Sequence, residues 1–227
     1  MKIKSLFSPF EIFLWLASVM TVVLSFVLMP QKNPLSLVTS LVGVTALIFL
    51  ARGNAIGQVL IIIFAGLYGA VSYGQAYYGE MITYLGMSAP IALVALVSWL
   101  KNPYEKGQVR VATLRPRTVV ILFSLAITVG VVFYFVLGAL GNANLPVSTI
   151  SVTTSFMAAG FTVLRSPYFA LAYATNDIVL IILWCFAIPT NPAAVAMIVC
   201  FLAFLVNDFY SFVSWLRMKK RQTAKNN

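Results

Sequence analysis

The sequence predicts an all-α, polytopic membrane protein. It has eight transmembrane helices: two like-oriented triplets joined by a linker helix (3+1+3), plus one extra N-terminal helix. Three observations predict this. Hydrophobic residues make up 61% of the 227 residues and charged residues only 9%, whereas a soluble surface needs roughly 25% charged residues. Eight apolar runs lie close to the roughly 17–25 residues that a spanning helix requires. A short motif also recurs at a fixed offset. Composition removes chemistries as well. Histidine is absent, which excludes Ser-His-Asp catalysis and His-ligated metal or haem. Cys185 and Cys200 both lie in apolar runs and imply no disulfide framework. No G-x-x-x-x-G-K-[ST] stretch exists, so the chain carries no P-loop. No cofactor is implied.

The first run, 10–29, is long enough to span. Met29-Pro30-Gln31 lacks the small-residue cleavage site of a signal peptide, so the run reads as a retained helix. The runs 35–50 and 56–73 are bounded by Pro30 with Pro34, by Gly53-Asn54 and by the Gly74–Gly79 stretch. The fourth, 82–100, leads into a basic loop, 101–117, and the linker helix occupies 118–140. The runs 148–164, 169–188 and 193–215 follow, punctuated by Ser166-Pro167 and by Pro189 with Pro192, and 216–227 is a basic tail. Residues 35–100 and 148–215 are then two repeats within one transmembrane domain. With the N-terminus in the cytoplasm, Lys32 alone falls outside and the other fourteen Lys and Arg fall inside. That bias fixes the orientation, with both termini cytoplasmic. The basic segments are short and lack interleaved aromatics, so the bilayer, not nucleic acid, is the partner they fit.

Val97-Ser98-Trp99-Leu100-Lys101 reappears as Val213-Ser214-Trp215-Leu216-Arg217, 116 residues later. Upstream, Thr39-Ser40 leads to Arg52 as Thr154-Ser155 leads to Arg165. Four crossings return the chain to the same side, so the triplets are parallel repeats. SWEET-like transporters typify this arrangement, with substrate sites near the midplane between the halves. Two bundles sharing only end signals is the plainer reading.

Five acids exist. Glu11 at a helix start, Glu80 in the outer loop and Glu105 in the inner loop are expected to be hydrated. Asp177 and Asp208 lie about 12 Å and roughly 10 Å from the inner ends of their helices, too deep to reach the interface. Each follows an asparagine: Asn176-Asp177 and Asn207-Asp208. No basic residue sits at matching depth, which leaves protonation, hydrogen bonds between helices, or a wet cavity. Tyr173, Asp177, Leu180 and Trp184 share one stripe of the seventh helix; Asn207, Tyr210, Ser211 and Ser214 share one face of the eighth. Aromatic faces mixed with amides suit a planar polar ligand, whereas plain helix–helix glue explains the same Asn and Ser. First-half candidates are Gln58, Tyr68, Thr83, Tyr84 and Ser88.

These residues resemble the PnuC family of bacterial vitamin and nucleoside transporters over about residues 35 to 221. The resemblance rests on Tyr78-Gly79-Glu80, then Pro90, Ser98-Trp99-Leu100-Lys101-Asn102, and Asn207-Asp208-Phe209-Tyr210 leading to Trp215. It implies the 3+1+3 fold in the bacterial cytoplasmic membrane and facilitated diffusion of a small unphosphorylated, nucleoside-like substrate, nicotinamide riboside in the best-known members. It also implies trapping by a cytoplasmic kinase, and a homotrimer. In the family's W-x-x-W-x-x-x-N pattern, Asn176 matches, while Phe169 and Ala172 stand at the tryptophan positions. Ala92 stands where those members carry glutamine, and Tyr210 matches a ligand-contacting tyrosine. The expected substrate-binding set is Asn176, Asn207, Tyr210, Asp177, Asp208, Tyr173, Trp184, Phe169, Tyr68 and Ser88. A (deoxy)nucleoside or thiamin is the alternative substrate; a membrane-embedded enzyme or a sensor using Asp177 and Asp208 is a more distant reading.

Overall fold

A computed structural model describes residues 7–28, 32–74, 77–142, 144–189 and 192–226. Lys2, Lys4 and Met29-Pro30-Gln31 lie outside them. The helices are α1 (Pro9–Leu28), α2 (Pro34–Ala51), α3 (Ile56–Gly74), α4 (Tyr78–Lys101), α5 (Pro116–Ala139), α6 (Leu145–Val163), α7 (Tyr168–Cys185) and α8 (Val195–Asn226). Among the described residues, seven helical segments are long and apolar enough to cross a membrane. The segment outside that set is α6, which has 19 residues but carries Ser148, Thr149, Ser151, Thr153, Thr154 and Ser155 between its start and its middle turn. Some of these hydroxyls turn back on their own helix, Thr149 onto the Leu145 carbonyl and Thr153 onto the Thr149 carbonyl. The helix lies against α4, α5 and α7.

Two boundaries move relative to the sequence reading. Helix α4 starts at Tyr78, four residues before the expected run, so Glu80 is inside the helix and not in a loop. The basic tail is helical to Asn226, because Met, Lys, Arg, Gln and Ala are strong helix formers. Gln222 also anchors it by accepting from Val111 N (2.8 Å) and donating to Val109 O (3.0 Å).

Six helices close a ring in which α2, α3, α4, α6, α7 and α8 each pack on the next, and α8 returns to α2. Helix α1 packs outside the ring on α2 and α8, and α5 packs outside it on α6. Within α5, only Leu122, Ala126, Gly130 and Leu137 are buried, one stripe of a helix that is otherwise apolar and exposed.

Residues 116 apart meet at both ends of the ring. Trp99 and Trp215 pack together with centroids 5.3 Å apart. At the opposite end, Trp184 Nε1 donates to Tyr68 Oη at 2.8 Å. The tryptophan end is cross-braced. Trp215 Nε1 donates to Leu50 O (2.7 Å) and Ser214 Oγ to Ala51 O (2.8 Å), so α8 satisfies the last carbonyls of α2. In the same way Trp99 Nε1 donates to Thr162 O and Ser98 Oγ to Val163 O, both 2.9 Å, so α4 satisfies those of α6. Each first helix then turns through a left-handed residue, Gly53 (φ 66) after α2 and Arg165 (φ 53) after α6. Gly53 is therefore the partner of Arg165; the sequence echo that paired Arg52 with Arg165 is one residue out of register. The 101–117 loop ties both turns together, with Val109 N on Gly53 O (2.8 Å) and Ala112 N on Arg165 O (3.0 Å).

Trp215→Phe keeps the ring but leaves Leu50 O without its indole donor. The expected loss is about 0.5–1.5 kcal/mol. Trp99→Phe costs a similar amount through Thr162 O, and both are read as lowered thermal midpoints in detergent.

Candidate functional site

The ring encloses a cavity. It is lined by Leu47 and Leu50 of α2, Ile61 and Phe64 of α3, Tyr84 and Ser88 of α4, Ser155 of α6, Tyr173, Asn176 and Asp177 of α7, and Phe201, Phe204 and Asp208 of α8. Its volume is about 40 Å³, room for a few ordered waters at roughly 10–15 Å³ each. Pockets that hold small molecules run to about 300–1,000 Å³, so the cavity is contracted and closed by aromatic side chains.

Local sequence explains how each polar group reaches it. Asn176 and Asp177 sit midway along α7, and Asn176 Oδ1 accepts from Ser155 Oγ (3.0 Å) and Thr154 Oγ1 (2.8 Å) of α6. On α8, Phe201, Phe204 and Asp208 follow i, i+3, i+7 spacing and face inward together. The Asp177 and Asp208 carboxyls meet where α7 packs on α8. Asp177 Oδ2 and Asp208 Oδ1 have no hydrogen-bond partner. Among the described residues no Lys or Arg lines the cavity. The two ion pairs, Arg52–Glu11 and Lys225–Glu105, lie elsewhere.

Helix α4 reaches the cavity through a π turn, Thr83–Ser88, closed by Ala89 N on Tyr84 O. Pro90 has no N–H to give the Gly86 carbonyl, so the preceding turn widens, and Tyr84 and Ser88 point into the ring.

The cavity has an aromatic roof and floor. In the roof, Tyr68 packs on Tyr84 with centroids 4.3 Å apart and stacks on Phe64 at 5.6 Å. Above them Trp184 packs edge-on against Tyr77, whose hydroxyl donates to Leu183 O (3.1 Å). In the floor, Phe169 packs on Trp215 at 4.9 Å and on Tyr173 at 6.2 Å.

The structure therefore divides the expected set. Asn176, Asp177, Asp208, Tyr173 and Ser88 are brought together on the cavity. Tyr68 and Trp184 are in the roof and Phe169 is in the floor, all three buried and off the cavity wall. Asn207 and Tyr210 face α1: Asn207 Nδ2 donates to Ser18 Oγ and Ala203 O, both 2.8 Å, and Tyr210 Oη donates to Glu11 Oε1 (3.0 Å). Neighbouring helical residues point about 100° apart, because a turn takes 3.6 residues. With Asp208 facing inward, Asn207 and Tyr210 turn to the flank that α1 covers. Glu11 is buried there and not hydrated. It forms a capping box with Ser8 (Ser8 N to Oε2, 2.6 Å; Glu11 N to Ser8 Oγ, 3.2 Å) and pairs with Arg52 at 3.5 Å. Glu80 is also buried. Tyr84, one of the first-half candidates, also lines the cavity, and the sequence reading omits Ser155, Phe64, Phe201 and Phe204. Their signals were the helix-breaking Pro90 near Tyr84, the Thr-Ser echo for Ser155, and the inward Phe spacing ahead of Asp208.

Long apolar helices closed into a ring around a cavity that two buried acids face are the architecture of a polytopic membrane protein, and the proteins it resembles place it among membrane transporters. A family model described as Nicotinamide mononucleotide transporter matches residues 33–217, and the chain belongs to that family. It is similar to the Nicotinamide riboside transporter PnuC of Neisseria mucosa, 23% identical over 197 residues, spanning 84% of this chain and 75% of that protein. The protein of the same name from Haemophilus influenzae is 24% identical over 216 residues, 94% of this chain and 92% of that one. In fold, the chain matches a crystal structure of the Vitamin B3 transporter PnuC with a TM-score of 0.84 at 23% identity, covering 95% and 94% of the two chains.

Proposed function

We propose that the protein carries nicotinamide riboside across the bacterial cytoplasmic membrane by facilitated diffusion through the cavity between its two triplets. The observation that carries this reading is the pair of unpartnered carboxylate oxygens, on Asp177 and Asp208, in a cavity without a basic residue. Nicotinamide riboside has an N-substituted pyridinium ring with a permanent positive charge. A buried acid pair supplies the counter-charge that such a ring needs on leaving water, and Tyr84, Tyr173 and Phe204 supply aromatic faces. In this reading Asn176 hydrogen-bonds the ribose hydroxyls. Thiamin, with its cationic thiazolium, is the second reading the same charge favours; neutral deoxynucleosides fit it less well.

Eight spans in a 3+1+3 arrangement of parallel repeats fit the closed ring, the reciprocal indole bonds and the contacts between residues 116 apart. In this reading all of the chain is one transmembrane domain, α6 crosses within the protein's interior, and the charge bias puts both termini and the tryptophan end in the cytoplasm. A kinase there traps the product, and the working unit is a homotrimer.

Uptake into proteoliposomes tests the reading, with nicotinamide riboside, thiamin, riboflavin and deoxynucleosides compared side by side. Saturable nicotinamide riboside uptake at the same rate with and without a pH gradient is expected. Preference for a neutral deoxynucleoside overturns the substrate; acceleration by the gradient overturns passive transport.

A further inference from the structure

Nine buried side-chain N and O atoms among the described residues lack a hydrogen-bond partner, and five of them belong to one cluster. They are both carboxylate oxygens of Glu80 and the hydroxyls of Ser72, Thr83 and Ser151. Glu80 is 1% exposed, Ser72, Thr83 and Ser151 are 0% exposed, and they come from three elements, α3, α4 and α6. Thr83 follows Glu80 by three residues on the same helix face. Ser151 stands beside the carboxyl, Ser72 beside the Tyr68 hydroxyl, and Tyr68, Tyr77 and Tyr84 surround the acid closely enough to feel its charge. No Lys or Arg among the described residues pairs with it.

Buried polar groups in proteins are nearly always satisfied, and a buried carboxylate without a partner is costly. Five such atoms in one neighbourhood give it unused capacity for a polar or charged partner. The aromatic surroundings narrow what that is. A carboxylate with three tyrosines close by recognises an aromatic or alkylated nitrogen cation through charge, and through cation–π attraction where a ring turns its face to it. Calcium or magnesium instead takes about six to eight oxygen ligands, more than the five atoms gathered here. Position adds to this. Glu80 is four residues, about 6 Å along the helix, from Tyr84, which lines the central cavity. It lies at the end opposite Trp99 and Trp215, which is the outer end in the orientation proposed above.

We propose that Glu80, Ser72, Thr83 and Ser151 form a second, outer site that takes the ring of an aromatic cation before it passes Tyr68 and Tyr84 to the central cavity. The proposal rests on the reading that the cargo is such a cation, and it adds a carboxylate that selects charge at the entrance.

The test uses 1-methylnicotinamide, a pyridinium cation without ribose, and neutral nicotinamide as its uncharged counterpart. Binding to the full-length purified protein is measured by calorimetry in the Asp177→Asn/Asp208→Asn background, where the central acids carry no charge. The proposal expects that background to keep a preference for 1-methylnicotinamide. Adding Glu80→Gln should weaken 1-methylnicotinamide by about tenfold or more, since bonds to charged groups are the strong ones, and leave nicotinamide unchanged. Glu80→Asp keeps the charge and should retain the preference, which guards against a folding defect in the glutamine variant. Equal binding of the cation with and without the Glu80 carboxylate overturns the proposal. So does displacement of 1-methylnicotinamide by millimolar sodium that depends on Glu80, which assigns the cluster to an inorganic ion. Failure of the wild-type protein to take up nicotinamide riboside is a separate result; it sinks the substrate assignment without touching the probe measurement.

Discussion

Asp177→Asn lowers the affinity for nicotinamide riboside by about tenfold to a hundredfold, the range expected when a hydrogen bond or contact to a charged group is lost. The replacement is nearly isosteric, so α7, the cavity volume and the Asn176 contacts to Ser155 and Thr154 stay as they are. What changes is charge. The wild-type carboxyl meets that of Asp208 and keeps Oδ2 unpartnered, an arrangement that burdens the empty protein and is relieved by a cation. The amide removes the burden and the attraction together. Calorimetry should therefore show weak binding while the thermal midpoint of the empty protein stays level or rises. Unchanged affinity would place the cation elsewhere.

Gly43→Val abolishes uptake by filling the cavity from behind. A Cβ at Gly43 meets Phe204 Cζ at 2.2 Å, Phe204 Cε1 at 2.8 Å and Phe64 Cδ2 at 3.0 Å, and both rings line the cavity. Phe204 is held on its other sides by Phe64 and Phe201, with centroids 5.4 and 5.6 Å away. The ring therefore yields toward the cavity, which is about 40 Å³. Overpacking of this kind costs about 1–3 kcal/mol, so the variant folds with a lowered midpoint but no longer admits substrate. Phe204→Leu in the same chain removes the colliding ring atoms. Recovery of uptake in the double variant checks the mechanism.

Much of the fold was legible because the bilayer imposes it. Apolar runs of limited length and a charge bias between loops follow from crossing lipid, and a motif repeated at 116 residues marks two indoles that pack together. Asp177 and Asp208 were legible for the same reason, since an acid that deep needs a cavity or a partner. Asn207 and Tyr210 were expected at the cavity and instead meet α1, because periodicity shows that residues share a face without naming the neighbour of that face. Glu80 was hidden by its surroundings. The tyrosines and glycines before it look like loop, whereas Gly79 is there because a Cβ would come within 2.8 Å of Asn142 Oδ1, the atom that accepts from Gly79 N at 2.9 Å. The π turn followed from Pro90, yet nothing in the spelling fixed which residues it would swing inward.

Trp99 holds a carbonyl of α6 and Trp215 a carbonyl of α2, so neither α4 nor α8 draws back there without giving up a bond to its neighbour. The opposite rim is fastened as well, by Trp184 on Tyr68 and Tyr77 on Leu183. The wall resembles a cask hooped at both rims, which opens at either one only by breaking such bonds.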